Sequence, residues 1–405
     1  MSKIYDLIVN VVSGVLPAVG KINPAVADFV KGRKNQEYPS FEQPPIWIHC
    51  ASLGEFEQGR PVIEALKNEW PEQPIVLTFF SKSGYAIRKS YPYADWIGYI
   101  PVDTMPEAKR FIQSIHPRLA IFVKYEFWYN HLDQLTNEKI PFIFISVNFF
   151  KGHYLLRPWN RWLLNKALRA AAFFVQNESS KKVLNDLDYQ EVTVTGDTRV
   201  DRVLDLLATT KPIESFEHGE QELPIFIAGS TWPADEFILK DFFKHHPGEF
   251  RIIIAPHTPG GQRIEELLQL FKEYDPVLFS TWKGMPFRML IVDSIGILNR
   301  LYRYAQAAYI GGGFGKGIHN ILEPAVYGIP VFFGPRHQTF AEAGHLIDDG
   351  VAFPVRTSAG LREAWNQNIP KNLPLIKNKA SKYFEMNKGA TAKIIDYLRD
   401  LFSGP

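Results

Sequence analysis

The sequence predicts an α/β protein built from two doubly wound parallel sheets, one in each half of the chain. Short runs of β-branched and aromatic residues alternate with longer helical stretches, which is typical of a parallel sheet covered on both faces. A polar stretch with Pro and Gly near residues 210–224 divides this alternation into two series. The length of 405 residues also exceeds one ordinary domain, since a domain takes roughly 150 residues.

The first series predicts a domain over residues 37–210, followed by a linker over residues 211–223. Its strands are expected at Ile46–His49, Ile75–Phe80, Leu119–Val123, Phe142–Ser146, Phe173–Val175 and Val192–Thr195. The second series predicts a domain over residues 224–405, with strands at Ile225–Ala228, Arg251–Ala255, Pro276–Phe279, Met289–Val292, Ala308–Ile310 and Pro330–Phe332. A final helix is expected from about Leu375 to Phe402. One interpretation is that this helix packs back on the first domain. Two such domains predict a cleft at the carboxyl ends of their strands, where ligands bind in these folds.

Residues 1–36 precede the first domain and predict an amphipathic helix. Between Ile4 and Val19 apolar residues recur at spacings of three and four, with Asp6 and Asn10 on the other side. The stretch is shorter than the roughly 20 apolar residues that span a bilayer, and it lacks the features of a cleaved secretory signal. Basic residues follow it and suit anionic lipid head groups. Two interpretations remain: a helix on the membrane surface, or a helix packed on its own domain.

The amino-acid composition excludes several classes of protein and of binding partner. Hydrophobic residues at 46% and charged residues at 22% are average for folded soluble proteins, which excludes a disordered or collagen-like chain. The net charge of +2 gives no global basic field, so we expect no nucleic-acid partner. The single cysteine, Cys50, cannot form an intrachain disulfide and suits a reducing compartment. Aromatic residues make up 14% of the chain and suit a core, a sugar site or a membrane interface.

Two glutamates follow predicted strands at equivalent positions. Glu55 comes after the strand at Ile46–His49, and Glu126 comes after the strand at Leu119–Val123. Because the carboxyl ends of parallel strands lie at one edge of a sheet, the two carboxylates are candidates for one site. The alternative for Glu55 is a purely structural role, in which it complements the positive end of the helix that begins there.

The glycine-rich segment from Gly311 to Gly317 is the strongest local signal in the second half. It precedes His319, Asn320 and Glu323, and five glycines in seven positions allow a backbone to approach a ligand closely. A helix expected to begin near Asn320 would direct its free N–H groups at an anion. The segment is neither a dinucleotide fingerprint, since it follows a late strand, nor a Walker A loop, since Lys316 precedes Gly317.

Several strings in this order resemble the Kdo (3-deoxy-D-manno-octulosonic-acid) transferases. They are Ser52-Leu-Gly-Glu55, Glu126-Phe-Trp, Thr195-Gly-Asp-Thr-Arg199-Val-Asp201 and His319-Asn-Ile-Leu-Glu-Pro324. The resemblance runs from about Ile4 to the last helix. It implies a GT-B fold, in which the first domain binds the acceptor and the second binds CMP-Kdo. It also implies a lipid A precursor as acceptor, a position on the cytoplasmic side of the inner membrane, and neither a cofactor nor a metal.

The resemblance implies specific roles for the acids and the arginine. Glu55 is similar to the family's general base, which takes the proton from the acceptor hydroxyl in an inverting transfer. Glu126 and Arg199 match the positions credited with stabilising the transition state. A guanidinium suits the phosphate or carboxylate of the donor. A carboxylate such as Glu126 favours oxocarbenium-like positive charge or orients another donor.

The family's CMP-Kdo-binding segments map onto four places in the second half. They are Pro256-His257, Ile295-Gly296-Ile297, the glycine-rich segment with Gly313 and His319, and Asn320-Ile321-Leu322-Glu323. Asn320 and Glu323 would hold phosphate and ribose. This chain departs from the pattern at Ile297, where many members have Glu, and at His257, where another basic residue is common. Contacts at Ile295–Ile297 are therefore expected through the backbone.

The acceptor side is less constrained by the resemblance. Many members have Arg two positions after the residue that corresponds to Asn148, whereas this chain has Phe150. Lys82, Ser83 and Gly84, after the second predicted strand, are candidates for binding an acceptor phosphate. The alternative for Lys82 is a solvated loop lysine. Two other functions also stay open: a GT-B transferase that uses a UDP- or GDP-sugar, and a catalytically silent, membrane-associated scaffold of the same fold.

Overall fold

The computed structural model describes residues 2–34, 36–150, 152–217 and 223–403. The chain divides into two compact units: unit 1 is Met1–Asp201 with Asn387–Pro405, and unit 2 is Arg202–Met386. Each unit contains a seven-stranded parallel sheet with helices between its strands. The predicted α/β class with two doubly wound sheets is therefore confirmed, whereas the domain limits inferred from the sequence stay a prediction.

The sheet of unit 1 has the order β3-β2-β1-β4-β5-β6-β7. Its strands are β1 Ile46–Cys50, β2 Ile75–Phe79, β3 Trp96–Tyr99, β4 Leu119–Val123, β5 Phe142–Val147, β6 Ala172–Val175 and β7 Val192–Val194. All six predicted strands are present, because continuous apolar runs suit strands that are covered on both faces. The sequence analysis missed β3, an edge strand whose side chains are mostly half-buried.

Ten helices are described between Ser2 and Glu217. They are α1 Ser2–Gly20, α2 Pro24–Lys34, α3 Leu53–Glu69, α4 Lys82–Arg88, α5 Met105–Ile115, α6 Tyr129–Asn137, α7 Arg161–Ala167, α8 Glu178–Asn185, α9 Thr198–Thr209 and α10 Glu214–Glu217. The predicted linker over residues 211–223 contains α10, where Ile213 and Phe216 are buried. Residues 218–222 lie outside the described part of the chain.

The sheet of unit 2 has the order β10-β11-β9-β8-β12-β13-β14. Its strands are β8 Ile225–Thr231, β9 Arg251–Pro256, β10 Pro276–Leu278, β11 Met289–Ile291, β12 Ala307–Ile310, β13 Val331–Phe333 and β14 Ala352–Pro354. The six predicted strands are again present, and β14, three residues long at the edge, was missed. The helices of this half are α11 Pro233–Lys244, α12 Gly261–Leu270, α13 Leu298–Leu301, α14 Leu322–Ala325, α15 Ala341–Asp348 and α16 Ser358–Asn387.

The predicted final helix from Leu375 to Phe402 is wrong, because two helices occupy this region. α16 ends at Asn387, Gly389 adopts a positive φ of 90°, and α17 Ala390–Ser403 follows. A left-handed residue interrupts a helix, and glycine adopts this conformation without steric cost. α17 belongs to unit 1, where Ile394 and Leu398 are buried in the core beside β1 and β4.

The N-terminal helix α1 combines an attached side with an exposed apolar side. The Tyr5 hydroxyl donates to Asp103 Oδ2 (2.6 Å), and Asn130 Nδ2 donates to Asp6 Oδ1 (2.9 Å). The apolar side chains on the other side are between 49% and 64% exposed: Ile4, Leu7, Ile8, Val11, Val12 and Val15. Among the described helices, α1 is long and apolar enough to cross a membrane, over Lys3–Gly20 with a mean hydropathy of 1.3. The attached side agrees with a helix packed on its own domain, and the position of the exposed side on a membrane stays a prediction.

Candidate functional site

Glu55 lies in the first turn of α3, directly after β1, as the sequence predicts. Ser52 is the N-cap residue of this helix, and its hydroxyl donates a short hydrogen bond to Glu55 Oε2. The side chain is half-buried. The carboxylate is therefore held in one direction at the carboxyl edge of the sheet, and it also complements the positive end of the helix.

Glu126 lies after β4, the neighbour of β1 in the sheet. Strand order reverses between β1 and β4, and doubly wound sheets bind their ligands at the carboxyl side of such a reversal. Both acids lie near the buried thiol of Cys50 at the end of β1. Burial raises the pKa of this thiol well above its usual value, and the charges of Glu55 and Glu126 raise it further. The two predicted acids thus share one edge of the sheet.

Arg199 lies in the first turn of α9, after β7. Its guanidinium binds the buried Asp197 carboxylate through Nε (3.1 Å to each oxygen) and Nη2 (2.5 Å). Burial alone would raise the pKa of Asp197, but the charge and hydrogen bonds of Arg199 lower it below its usual value. The adjacent Thr198 hydroxyl donates to the Gln58 carbonyl oxygen of α3 (2.6 Å). This bond connects the turn that carries Arg199 to the helix that carries Glu55.

The tentative acceptor-binding residues Lys82, Ser83 and Gly84 form the first turn of α4. The exposed Lys82 ammonium forms a short ion pair with Asp28 of α2. Gly84 is buried, and a Cβ atom there would lie 2.6 Å from the Phe79 ring, so a glycine here allows α4 to pack closely against β2. Lys82 is therefore a paired surface lysine, and its binding of an acceptor phosphate stays a prediction.

The second group of predicted residues lies in unit 2, where strand order reverses between β8 and β12. His257 follows β9, and His319 lies in the loop after β12. Their rings stack with centroids 4.3 Å apart, and the Trp232 ring stacks on His257 at 4.8 Å. Trp232 Nε1 also donates to His319 Nε2 (3.1 Å). These three rings line a cavity of about 420 Å³ together with Gly312, Gly315, Lys316 and Gly317.

The imidazoles of this cavity favour the neutral form. Burial, with a smaller contribution from the neighbouring His257, lowers the pKa of His319 to about 4, and burial also lowers the pKa of His257. At neutral pH the stack therefore offers flat, uncharged ring surfaces. Lys316 supplies a cation at the rim, where its side chain is exposed.

The helix expected to begin near Asn320 is α14. α14 begins at Leu322 and is only four residues long, and the Leu322 N–H donates to Asn320 Oδ1 (3.1 Å). Asn320 Nδ2 in turn donates to Glu323 Oε1 (3.1 Å). The N-cap residue is Ile321, and the first N–H group of the helix already donates to the Asn320 side chain. The side chains of Ile321 and Leu322 are fully buried, which leaves only their backbone for a ligand.

The remaining predicted donor contacts differ in exposure. Ile295 is 89% exposed and Gly296 has a positive φ of 89°, in the loop after β11. Pro256 is buried at the end of β9. Gly313 is also buried, and a Cβ atom there would lie 2.6 Å from the Gly334 backbone, so close packing of two chain segments requires this glycine. The sequence analysis expects the glycine-rich backbone to lie close to a ligand. At Gly313 the backbone instead lies close to another segment of the protein, at Gly334.

Sequence reasoning missed two residues at these sheet edges, Trp232 and His49. Trp232 follows β8 at the point of strand reversal in unit 2, and it is 45% exposed. His49, in β1, lies 3.3 Å from Glu126 Oε2 through its Nε2 atom. A signal existed for both, since each is a polar or amphipathic side chain near the carboxyl end of a central strand. Among the described residues, no cluster of three or more His, Cys, Asp or Glu side chains is arranged to hold a metal ion.

The model of the 3-deoxy-D-manno-octulosonic-acid transferase (Kdo transferase) family matches residues 27–202. A 3-deoxy-D-manno-octulosonic acid transferase of Haemophilus influenzae is 26% identical over 387 residues, which cover 87% of this chain and 86% of that protein. Over these ranges the chain is similar to the Kdo transferases. The region that the family model matches contains Glu55, Glu126 and Arg199.

The chain is also similar to proteins whose names give other activities. A bifunctional glycosyltransferase/methyltransferase of Fusobacterium nucleatum is 25% identical over 89% of this chain, and the chain spans 57% of its length. A solved UDP-GlcNAc 2-epimerase of Neisseria meningitidis superimposes with a TM-score of 0.61 at 15% identity, over 88% of this chain and 100% of the other. This likeness establishes the GT-B type of fold and carries no conclusion about substrate.

Proposed function

We propose that the protein transfers Kdo from CMP-Kdo to a lipid A precursor, with inversion at the anomeric carbon and Glu55 as the general base. The observation that carries the proposal is the location of Glu55 and Glu126 at the strand reversal of unit 1, after adjacent strands. Ligands of doubly wound sheets bind at this position. An inverting transfer needs one base for the acceptor and groups that respond to charge on the donor.

In the proposed reaction, Glu55 accepts the proton of the acceptor hydroxyl while the hydroxyl oxygen attacks the anomeric carbon of Kdo. A new C–O glycosidic bond forms. The bond between the anomeric carbon and the phosphate oxygen breaks, and CMP leaves with its electron pair. The Ser52 hydroxyl supports this role because it donates to one oxygen of the base and so restricts the direction of the carboxylate.

Arg199 and Glu126 are proposed to act on the charges that develop during transfer. Asp197 holds the Arg199 guanidinium in a fixed direction, which suits a cation that meets the phosphate or carboxylate of the donor. Glu126 is proposed to favour the positive charge of an oxocarbenium-like transition state, or to orient another donor group. Both roles use preorganised charges, which need no rearrangement at the moment of reaction.

The donor is proposed to bind at the loops after β8, β9, β11 and β12 of unit 2. The neutral ring stack of Trp232, His257 and His319 suits a nucleotide, because flat rings stack on bases and sugars. Asn320 and Glu323 are proposed to hold the phosphate and the ribose. Pro256, the Ile295–Ile297 loop and the backbone at Ile321 and Leu322 complete the proposed contacts, with Lys316 as the nearby cation.

The protein is proposed to act at the cytoplasmic surface of the inner membrane, where a lipid acceptor is accessible. The exposed apolar side of α1 supports this location, since an amphipathic helix buries such a side at the lipid boundary. Exposed Lys21, Lys31 and Lys34 follow this side and suit anionic head groups. Lys82, Ser83 and Gly84 remain the proposed acceptor contacts.

The proposal is tested by incubating the protein with CMP-Kdo and a tetra-acylated lipid A precursor and measuring the product mass. We expect the mass to rise by one or more Kdo residues and CMP to be released. The competing function is transfer from a UDP- or GDP-sugar, because the solved epimerase of the same fold is bound to UDP-GlcNAc. Thermal melting with each nucleotide separates the two: stabilisation by UDP and not by CMP would reject the Kdo proposal. CMP binding without any turnover would favour the silent scaffold.

A further inference from the structure

A network of buried side chains on the sheet supports Glu126. The proposed mechanism gives no role to this network. Glu126 Oε2 accepts a hydrogen bond from Trp128 Nε1 (2.8 Å) and lies 3.3 Å from His49 Nε2. On the other side of the imidazole, His49 Nδ1 lies 2.9 Å from Thr78 Oγ1. Trp47 Nε1 donates to the same Thr78 oxygen (2.8 Å). We infer that His49, oriented by Thr78, is a positioning residue that holds the Glu126 carboxylate for the transfer reaction.

The register of the sheet builds this arrangement. His49 of β1 and Thr78 of β2 are aligned Cα partners in parallel strands, so their side chains emerge side by side on one face. Trp47 lies two residues before His49 and points to the same face. Trp47, His49 and Thr78 are all 0% exposed, and only 15% of the Glu126 side chain is exposed. The support for the carboxylate therefore comes from rigid strands.

The inference assigns one set of hydrogen-bond roles to these side chains. The Trp47 indole N–H can only donate, so it occupies one lone pair of the Thr78 oxygen, and the Thr78 hydrogen is available to His49 Nδ1. The Trp128 indole N–H lies 3.2 Å from His49 Nε2 and 2.8 Å from Glu126 Oε2, and the inference assigns it to the nearer carboxylate oxygen. In that arrangement His49 carries its hydrogen on Nε2 and donates it to Glu126. Together with the Trp128 indole, two N–H groups converge on one carboxylate oxygen. Such linked networks orient a functional group more strongly than one isolated bond does.

The inference rests on the proposed role of Glu126 and adds the residues that hold it in place. If the Thr78 hydroxyl is removed, Nδ1 loses its partner and the imidazole no longer has a preferred tautomer. Glu126 then loses one of its two donors. A displacement of about 1 Å in a reacting group costs about 100-fold in rate, so we expect kcat to fall by about 10- to 100-fold.

Matched substitutions at Thr78 test the inference with the full-length protein, CMP-Kdo and a lipid A precursor. Thr78→Val keeps the β-branched shape and removes the hydroxyl, whereas Thr78→Ser keeps the hydroxyl. We expect a reduced kcat with a nearly unchanged KM for CMP-Kdo in Thr78→Val, and recovery of kcat in Thr78→Ser. Melting with and without CMP verifies that both variants fold. A Thr78→Val protein that folds, binds CMP and transfers at the normal rate would overturn the inference.

A second pair at His49 covers the case in which Thr78→Val does not fold. His49→Gln retains a side-chain N–H directed along the strand face, and His49→Leu retains only volume. The inference expects the Gln variant to transfer faster than the Leu variant. Equal rates in the two folded proteins would contradict it.

A double-mutant cycle with Glu126→Ala distinguishes positioning from a general structural effect. If Thr78 acts through Glu126, adding Thr78→Val to Glu126→Ala changes kcat by less than about 2-fold, because the group to be positioned is gone. A merely structural role would lower kcat by the same factor in both backgrounds. If Glu126→Ala by itself leaves kcat unchanged, the proposed role of Glu126 fails. If Glu126→Ala reduces kcat and the effects multiply, only the inference about His49 and Thr78 fails.

Discussion

Membrane attachment through the exposed side of α1 can be tested by Leu7→Gln with Val11→Gln. These side chains are 64% and 56% exposed, and they belong to an apolar side of six residues with similar exposure. Full burial of an aliphatic side chain contributes about 1.5–3 kcal/mol, so the exposed half of each contributes about 1 kcal/mol on transfer to lipid. The whole side then contributes about 6 kcal/mol, and the double substitution removes about 2 kcal/mol, or about 30-fold in the partition coefficient.

The assay is co-sedimentation with vesicles that contain anionic phospholipid, at two salt concentrations. Leu375→Gln is the matched control, because Leu375 of α16 is also exposed (53%) but lies far along the chain from α1. The melting temperature should stay unchanged in all variants, since none of these side chains is buried. Unchanged partitioning of the double variant, or an equal loss in the control, would refute the assignment of this side to the membrane.

Three further outcomes follow from the site and its supports. Glu55→Gln should lower kcat by about 10²–10⁴-fold with CMP-dependent stabilisation intact, measured by product mass and thermal melting, and a normal kcat would reject it as the base. Asp201→Ala should lower the midpoint of urea unfolding by an amount equivalent to about 2 kcal/mol. Asp201 accepts hydrogen bonds of 2.6 Å from the N–H groups of Gly389 and Thr391 at the start of α17, and the substitution removes both. An unchanged midpoint would contradict this. The free energy of unfolding should fall as the pH drops from about 6.5 to about 4, since unfolded His319 binds a proton in this range and folded His319, with its pKa lowered to about 4, does not. His319→Gln should flatten that slope in urea titrations, and an unchanged slope would show that His319 does not cause it.

Most of the fold could be predicted because its signals are local. A buried parallel strand is a short continuous apolar run, and twelve such runs correspond to strands in the structure. The missed strands β3 and β14 are short edge strands, where burial is partial and the apolar run is weak. The last helix is predicted to begin at about Leu375, whereas α16 begins at Ser358, before two prolines that lie inside the helix. Buried side chains such as Leu361 and Trp365 hold this first part of α16 in the core of the unit.

In the candidate site too, some features could be predicted from the sequence and others depend on the tertiary structure. The sequence by itself determined the kinds of groups and their place at strand ends: Glu55, Glu126 and the glycine-rich segment. Only the tertiary structure decided that Asp197 holds Arg199, that Thr78 and His49 support Glu126, and that Trp232 stacks on His257. His49 and Glu126 are 77 positions apart in the sequence, and the order and register of the strands bring them together. Local periodicity reports which face of a strand is buried, but it carries no information on which strand lies beside it.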